Sequence, residues 1–242
     1  MRTVRLFVAR LYGSRMTRWR VAPLTLLFFL LSLPGMAQQD YVSRYDAYAG
    51  FSYFESPAIN LAERGFHLQF GLNMKPWWAL GADYSNATGT LSLIPSYLPN
   101  DLQKQIDEIL VFLPGYMPSV TTDVHTQTFA IGPTLVYRHF RHIGLLVHPS
   151  IGAVREVATP YPTDAFTEIL VSQFVTGKNK VDWRGFYGIG GGVDIGITQH
   201  VGIRMHTDLV WDHLFDDILR DGRWTVRCSI GPTFKFGRNI AK

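Results

Sequence analysis

The chain has 242 residues, of which 47% are hydrophobic, 14% aromatic and only 17% charged, against the roughly 25% charged residues usual in a soluble domain. That composition excludes a disordered chain, and the lone Cys228 excludes an internal disulfide scaffold. The formal charge of +4 carries no nucleic-acid signature: six of the 23 basic residues (Arg2, Arg5, Arg10, Arg15, Arg18, Arg20) precede residue 21, leaving 17 to face 19 acidic ones.

In chain order, those arginines lead into Val21–Leu33, which is apolar except for Pro23, Thr25 and Ser32. The run falls short of the roughly 20 apolar residues that span a bilayer as a helix and reads as the core of a secretory signal peptide. Gly35 and Ala37 supply small residues at the cleavage site, so residues 1–37 are expected to be removed before Gln38, and Met16 opens a compact alternative start. The mature domain is then 38–242, exported and without nucleic-acid partners.

Beyond Gln38 the dominant signal is alternation with a period of two over segments of about ten residues, the length of a tilted membrane-spanning strand. Along Gly65–Met74, residues Phe66, Leu68, Phe70, Leu72 and Met74 share one face, opposite His67, Gln69 and Asn73. Trp78, Leu80, Ala82 and Tyr84 repeat the pattern against Gly81, Asp83 and Ser85. Phe129–Tyr137, Tyr187–Ile197, Val201–Trp211 and Val226–Phe236 follow, and weaker segments at Tyr45–Tyr53 and Leu145–Val154 bring the strands to eight. The connections between them, 54–64, 75–77, 86–123, 139–142, 155–184, 198–200 and 212–223, alternate long and short. Outer-membrane barrels do this, with short periplasmic turns, long external loops and both termini inside. A soluble barrel would turn its apolar face inward, but the polar faces here are too small and too polar to form a core. Aromatic residues also gather at strand ends as interfacial girdles: Tyr45, Trp77, Trp78, Tyr137, Phe140 and Phe236 near the short turns, and Phe54, Tyr84, Trp211 and Trp224 near the long loops.

The fold expected is therefore all-β, an eight-stranded antiparallel up-and-down transmembrane β-barrel. Its inward faces carry Asp83, Asp194 and Asp208 against Arg138, Arg204 and Arg227, with His67 and His206 nearby. An eight-stranded barrel is just wide enough for its own side chains to fill, so these six residues are expected to form a lumen charge network that plugs it. The alternative is a narrow diffusion pore in which the ion pairs exchange partners.

Tyr48-Ala-Gly-Phe-Ser-Tyr53, Gly81-Ala-Asp-Tyr84 after a Lys-Pro-Trp turn, Ile131-Gly-Pro133, Gly190-Gly-Gly-Val-Asp194, Val201-Gly-Ile-Arg204 and Ser229-Ile-Gly231 resemble, in order and spacing, the OmpA-like eight-stranded outer-membrane β-barrel family over most of residues 41–237. The resemblance implies a bacterial outer membrane, lipid around the barrel and assistance from the barrel-assembly machinery during insertion. Gly237–Lys242 alone follows Phe236, so the peptidoglycan-binding domain of some members is not expected, and the terminal aromatic residue of such barrels is displaced from the end.

Some eight-stranded barrels resemble lipid A-modifying enzymes with a His and Ser pair, and His148-Pro-Ser150 with Glu156 is the nearest match here. By alternation these side chains point into the lumen rather than to lipid, and Ile151-Gly152 replaces the polar residues that should follow the serine. No catalysis is expected. The remaining histidines lack ligand spacing apart from His139 and His142 in a short turn, so neither metal nor cofactor is expected.

The two longest connections hold helical patterns. Asp101–Leu113 places Leu102, Ile106, Ile109, Leu110 and Leu113 on one face, and Asp164–Val175 does the same for Phe166, Ile169, Leu170 and Phe174. Loops 86–123 and 155–184 are expected either to pack these helices together as a lid or to present a surface to an external ligand or protein partner, a lipid or an apolar ligand.

Overall fold

The computed structural model describes residues 39–113, 115–175, 177–219 and 222–241. The expected signal peptide, residues 1–37, lies outside the described residues. The eight strands are β1 (Ser43–Ser56), β2 (Leu61–Lys75), β3 (Trp78–Leu93), β4 (Val120–Tyr137), β5 (Ile143–Tyr161), β6 (Lys180–Gly196), β7 (Val201–Asp212) and β8 (Arg223–Asn239). Each pairs antiparallel with the next, and β1 pairs with β8 to close the ring. Closure matters because it leaves no row of unpaired backbone groups, which lipid could not satisfy.

The period-two pattern is resolved into an outside and an inside. Phe66, Leu68, Phe70, Ile131, Leu135, Ile189, Ile230 and Phe234 are exposed on the outer surface, whereas His67, Gln69, Asp83, Asp194, Asp208 and Ser229 are buried in the lumen. On β4 the outward apolar face runs from Phe129 to Tyr137, and its outward neighbours beyond Phe129 are Gln127, His125 and Asp123. The matching edge on the other strands is set by Tyr53, Phe66, Tyr84, Tyr187, Trp211 and Trp224. The aromatic residues therefore bound a belt about nine to eleven residues tall, the thickness that a tilted strand needs to cross a bilayer.

The strands do not stop at that belt. β3, β4, β5 and β6 continue well past it, so the connections expected at 86–123 and 155–184 contract to 94–119 and 162–179. The first expected long loop, 54–64, is a tight turn: the ladder runs to the Ser56↔Leu61 pair, with a 3-10 turn at Pro57–Ile59 and Asn60 in the left-handed region at φ 51°. The physical reason is common to all three corrections. Outside the bilayer the outward face is wet and loses its apolar residues, so the alternation fades while the hydrogen-bonded ladder continues. Phe54 is a correction of a different kind. It points into the lumen with 3% exposure, and its ring lies 6.0 Å from the Arg227 guanidinium carbon, instead of joining the outer girdle.

At the loop end the lumen turns apolar. Ile59, Leu61, Leu91, Val124, Phe186 and Leu214 form a buried cluster there with Phe215 and Leu219 from the β7–β8 connection. The β3–β4 and β5–β6 connections hold the two helices α1 (Asn100–Leu110) and α2 (Ala165–Phe174). Asp164 caps α2 by accepting the Thr167 N–H at 2.9 Å, with the Thr167 hydroxyl completing a capping box.

Candidate functional site

Alternation on each strand stacks the lumen side chains in layers, because residues i, i+2 and i+4 share a face. In the layer nearest the termini, Arg204 of β7 donates through Nη1 to Gln69 Oε1 at 2.7 Å and through Nη2 to Asp46 Oδ1 at 3.1 Å and Asp194 Oδ2 at 3.2 Å. Lys235 Nζ approaches the same Asp194 carboxylate at 3.3 Å, and Asn73 Nδ2 donates to Asp46 Oδ2 at 2.9 Å. The guanidinium thus joins β7 to β1, β2 and β6, and Lys235 adds β8 through Asp194.

The central layer is built on Arg227 of β8. Its Nε donates to Asp208 Oδ2 of the adjacent β7 at 2.7 Å, while Nη1 reaches across the lumen to Asp83 Oδ1 of β3 at 3.1 Å, Ser85 Oγ at 3.2 Å and Thr128 Oγ1 of β4 at 3.3 Å. Three histidines surround this pair of carboxylates. The Nε2 atoms of His67 and His148 lie 3.6 and 3.5 Å from Asp83, and that of His206 lies 3.4 Å from Asp208. The layer fits only because β6 presents glycine there. A Cβ at Gly190 would stand 1.9 Å from Asp208 Oδ1 and 2.9 Å from His206 Nε2.

Above it, Arg223 pairs with Glu156 and donates through Nε to Asp212 Oδ1 at 3.1 Å, with Glu63 buried alongside. The voids beside these layers are small, about 20 Å³ next to Arg223 and Arg227 and about 10 Å³ next to Arg204 and Asp46. Each is on the scale of a single water molecule.

Of the residues singled out in the sequence, Asp83, Asp208 and Arg227 meet in the central layer, and Arg204 and Asp194 meet in the one below it. Arg138 forms no ion pair with an acid among the described residues. It sits just past the end of β4 and donates to the Pro76 carbonyl at 2.8 Å and to Asn73 Oδ1 at 3.0 Å. Asp46, Glu63, Asp212 and Arg223 were missed, although Arg223, Thr225 and Arg227 continue one face of β8 and would have been found by carrying the alternation outward.

No protein-family model and no curated protein matches the sequence. Among solved structures, the chain is similar to Ail, the attachment invasion locus protein of Yersinia pestis, in complex with the heparin analogue sucrose octasulfate, at 14% identity over 80% of this chain and 97% of that one, with a TM-score of 0.46. It is similar to Neisserial surface protein A at 10% identity over 79% and 96% of the two chains (TM-score 0.49). The outer membrane protein OprG from Pseudomonas aeruginosa gives 10% identity over 83% and 99% (TM-score 0.49). The likeness is one of architecture. The setting of the fold follows from the molecule's own surface, a closed ring of eight strands with an apolar, aromatic-edged belt outside and buried charges inside. This is an outer-membrane β-barrel.

In the outer-membrane barrel, His148 and Ser150 face the lumen, with 1% and 8% exposure. His148 Nδ1 is engaged by Thr134 Oγ1 at 2.9 Å and the Pro133 carbonyl at 3.1 Å, its Nε2 faces Asp83, and Glu156 is held by Arg223. The ring nitrogens thus serve the central layer, away from lipid.

Proposed function

We propose that this outer-membrane barrel is a closed, non-catalytic scaffold whose role is structural or lies in contacts made at its loop end. The observation that carries the reading is Arg227, whose guanidinium crosses the lumen from β8 to Asp83 on β3 while holding Asp208 on β7. A second guanidinium layer at Arg204, and voids beside the layers no larger than a water molecule or so among the described residues, support a lumen without a continuous aqueous path. The short turns and both termini then face the periplasm and the loop end faces outward, with an external ligand or protein partner meeting 94–119 and 162–179, and with the barrel-assembly machinery acting only at insertion.

The test is swelling of proteoliposomes in small neutral solutes. The closed reading expects the rate of protein-free liposomes; swelling that scales with protein content overturns it. A second reading, a narrow gated pore, draws on His67 and His148 beside Asp83. They are the partners to which Asp83 would pass if the Arg227 ion pair exchanged, so swelling by the wild-type barrel that is lost in His67→Phe favours this alternative.

A further inference from the structure

Above the Arg223 layer an apolar cavity of about 90 Å³ opens at the loop end, enclosed by the extended parts of β3, β4 and β5, by α2 and by the β7–β8 connection. Leu91 and Val124 line one side, Ala158 a second, Leu170 and Val171 of α2 a third, and Phe215 closes it. Glu156, held by Arg223, lines it. Lys180 holds the cover in place by donating to the Phe174 carbonyl at the end of α2 and pairing with Asp217.

The position of the cavity says where an occupant would come from. Leu91 is seven residues past Tyr84 and Val124 five residues before Phe129, the residues that mark the belt's edge. At about 3.4 Å per residue and a tilt near 40°, the cavity lies roughly 13 to 18 Å outside the belt. A membrane lipid would have to leave the bilayer to reach it, whereas a solute outside the cell would not. Its size sets a limit too. An engineered apolar cavity of roughly 150 Å³ stays dry and takes up benzene, and a smaller one with side-chain walls of the same kind suits a short alkyl group. The cavity is open on one side, which leaves room for a polar remainder in solvent.

We infer that this cavity is a binding site for the short alkyl end of a small amphiphile arriving from the external solution. The inference rests on the reading that the loop end is the contact face, but not on whether the lumen conducts. A conducting barrel would defeat the closed scaffold and leave the cavity to be judged by binding alone.

The test uses the full folded protein in lipid nanodiscs, with labelled Ile, Leu and Val methyl groups, titrated with 1-hexanol and followed by NMR. The methyl shifts of Leu91, Val124, Leu170 and Val171 should saturate, while those of the belt residues Leu68 and Ile131 rise without saturating as hexanol partitions into lipid. Ala158→Phe, which fills the cavity, should weaken the saturable response at least tenfold and leave the belt response unchanged. Val171→Phe, on a loop helix that the barrel ladder does not need, should do the same and stands in if Ala158→Phe fails to fold. A response that never saturates at the cavity methyls, or one that saturates equally in the filled variants, overturns the site and leaves a packing void.

Discussion

Arg227 and Arg138 are both arginines picked out by the same sequence argument, yet they differ in what they leave behind when removed. Arg227 is 3% exposed and compensates Asp83 and Asp208, both buried. Arg227→Ala should therefore strand two carboxylates and destabilise the barrel by on the order of 3 to 5 kcal/mol. Arg138→Ala loses two hydrogen bonds to neutral oxygens, about 2 kcal/mol in all. Denaturant titration in lipid vesicles checks both, and equal midpoints for the two variants would mean that the central carboxylates are solvated. At this scale the sequence was readable wherever an outward apolar partner marked the inward residue. Asp83 sits between Ala82 and Tyr84, whereas Glu63 sits between Ala62 and Arg64, where no lipid-facing residue announces which side is in. Phe54 was misplaced for the opposite reason, because β1 carries aromatic residues on both faces.

Among the elements, the membrane-crossing middle of every strand was legible and its outer end was not, since lipid imposes the alternation and solvent does not. The helices were legible from their apolar faces, and α2 also through its Asp164 cap; α1 has no side-chain cap and ends at Leu110, short of the expected Leu113. The lid expectation, however, treated Ile106 and Ile169 alike, and they differ. Both line a small cavity shared by α1 and α2, but Ile106 is 4% exposed and Ile169 63%. Ile106→Asp should speed proteolysis of both loops because it places a charge in an apolar contact, while Ile169→Asp should change local stability by no more than about 0.5 kcal/mol. Comparable sensitivity in the two variants would contradict this arrangement.

A clasp also joins the two loops. The Tyr116 hydroxyl donates to Asp164 Oδ2 at 2.7 Å, and the Tyr116 ring meets Phe166 edge-on at 5.7 Å. The tyrosine's hydrogen bond, followed by the Thr167 N–H, holds the Asp164 carboxyl below its ordinary range, and the same bond pushes Tyr116 up to about 12. A depressed carboxyl stabilises above the ordinary aspartate value near 3.9 and loses that contribution as pH falls through its folded value; a raised phenol loses its contribution as pH climbs from about 10 towards 12. The clasp is therefore intact between about pH 4 and 10. Tyr116→Phe should make both loops more protease-sensitive at pH 7, and its difference from wild type should narrow as pH falls below about 4. A difference that stays constant across that range would place the clasp elsewhere.

For the whole molecule, the barrel reverses the arrangement of a soluble protein: lipid-facing side chains are apolar, and polar side chains fill the centre. Strand number, closure and orientation of the faces were all contained in the period and spacing of the sequence. The way the interior is tied was not, because partners such as Arg227 and Asp83, 144 residues apart, meet only once the ring has closed. In the closed-scaffold reading these ties shut the lumen. Single-channel recording of the purified barrel in planar lipid bilayers at neutral pH tests it most directly: the closed barrel should insert without conductance steps above the bare bilayer, and reproducible unitary steps from the wild-type protein would contradict it.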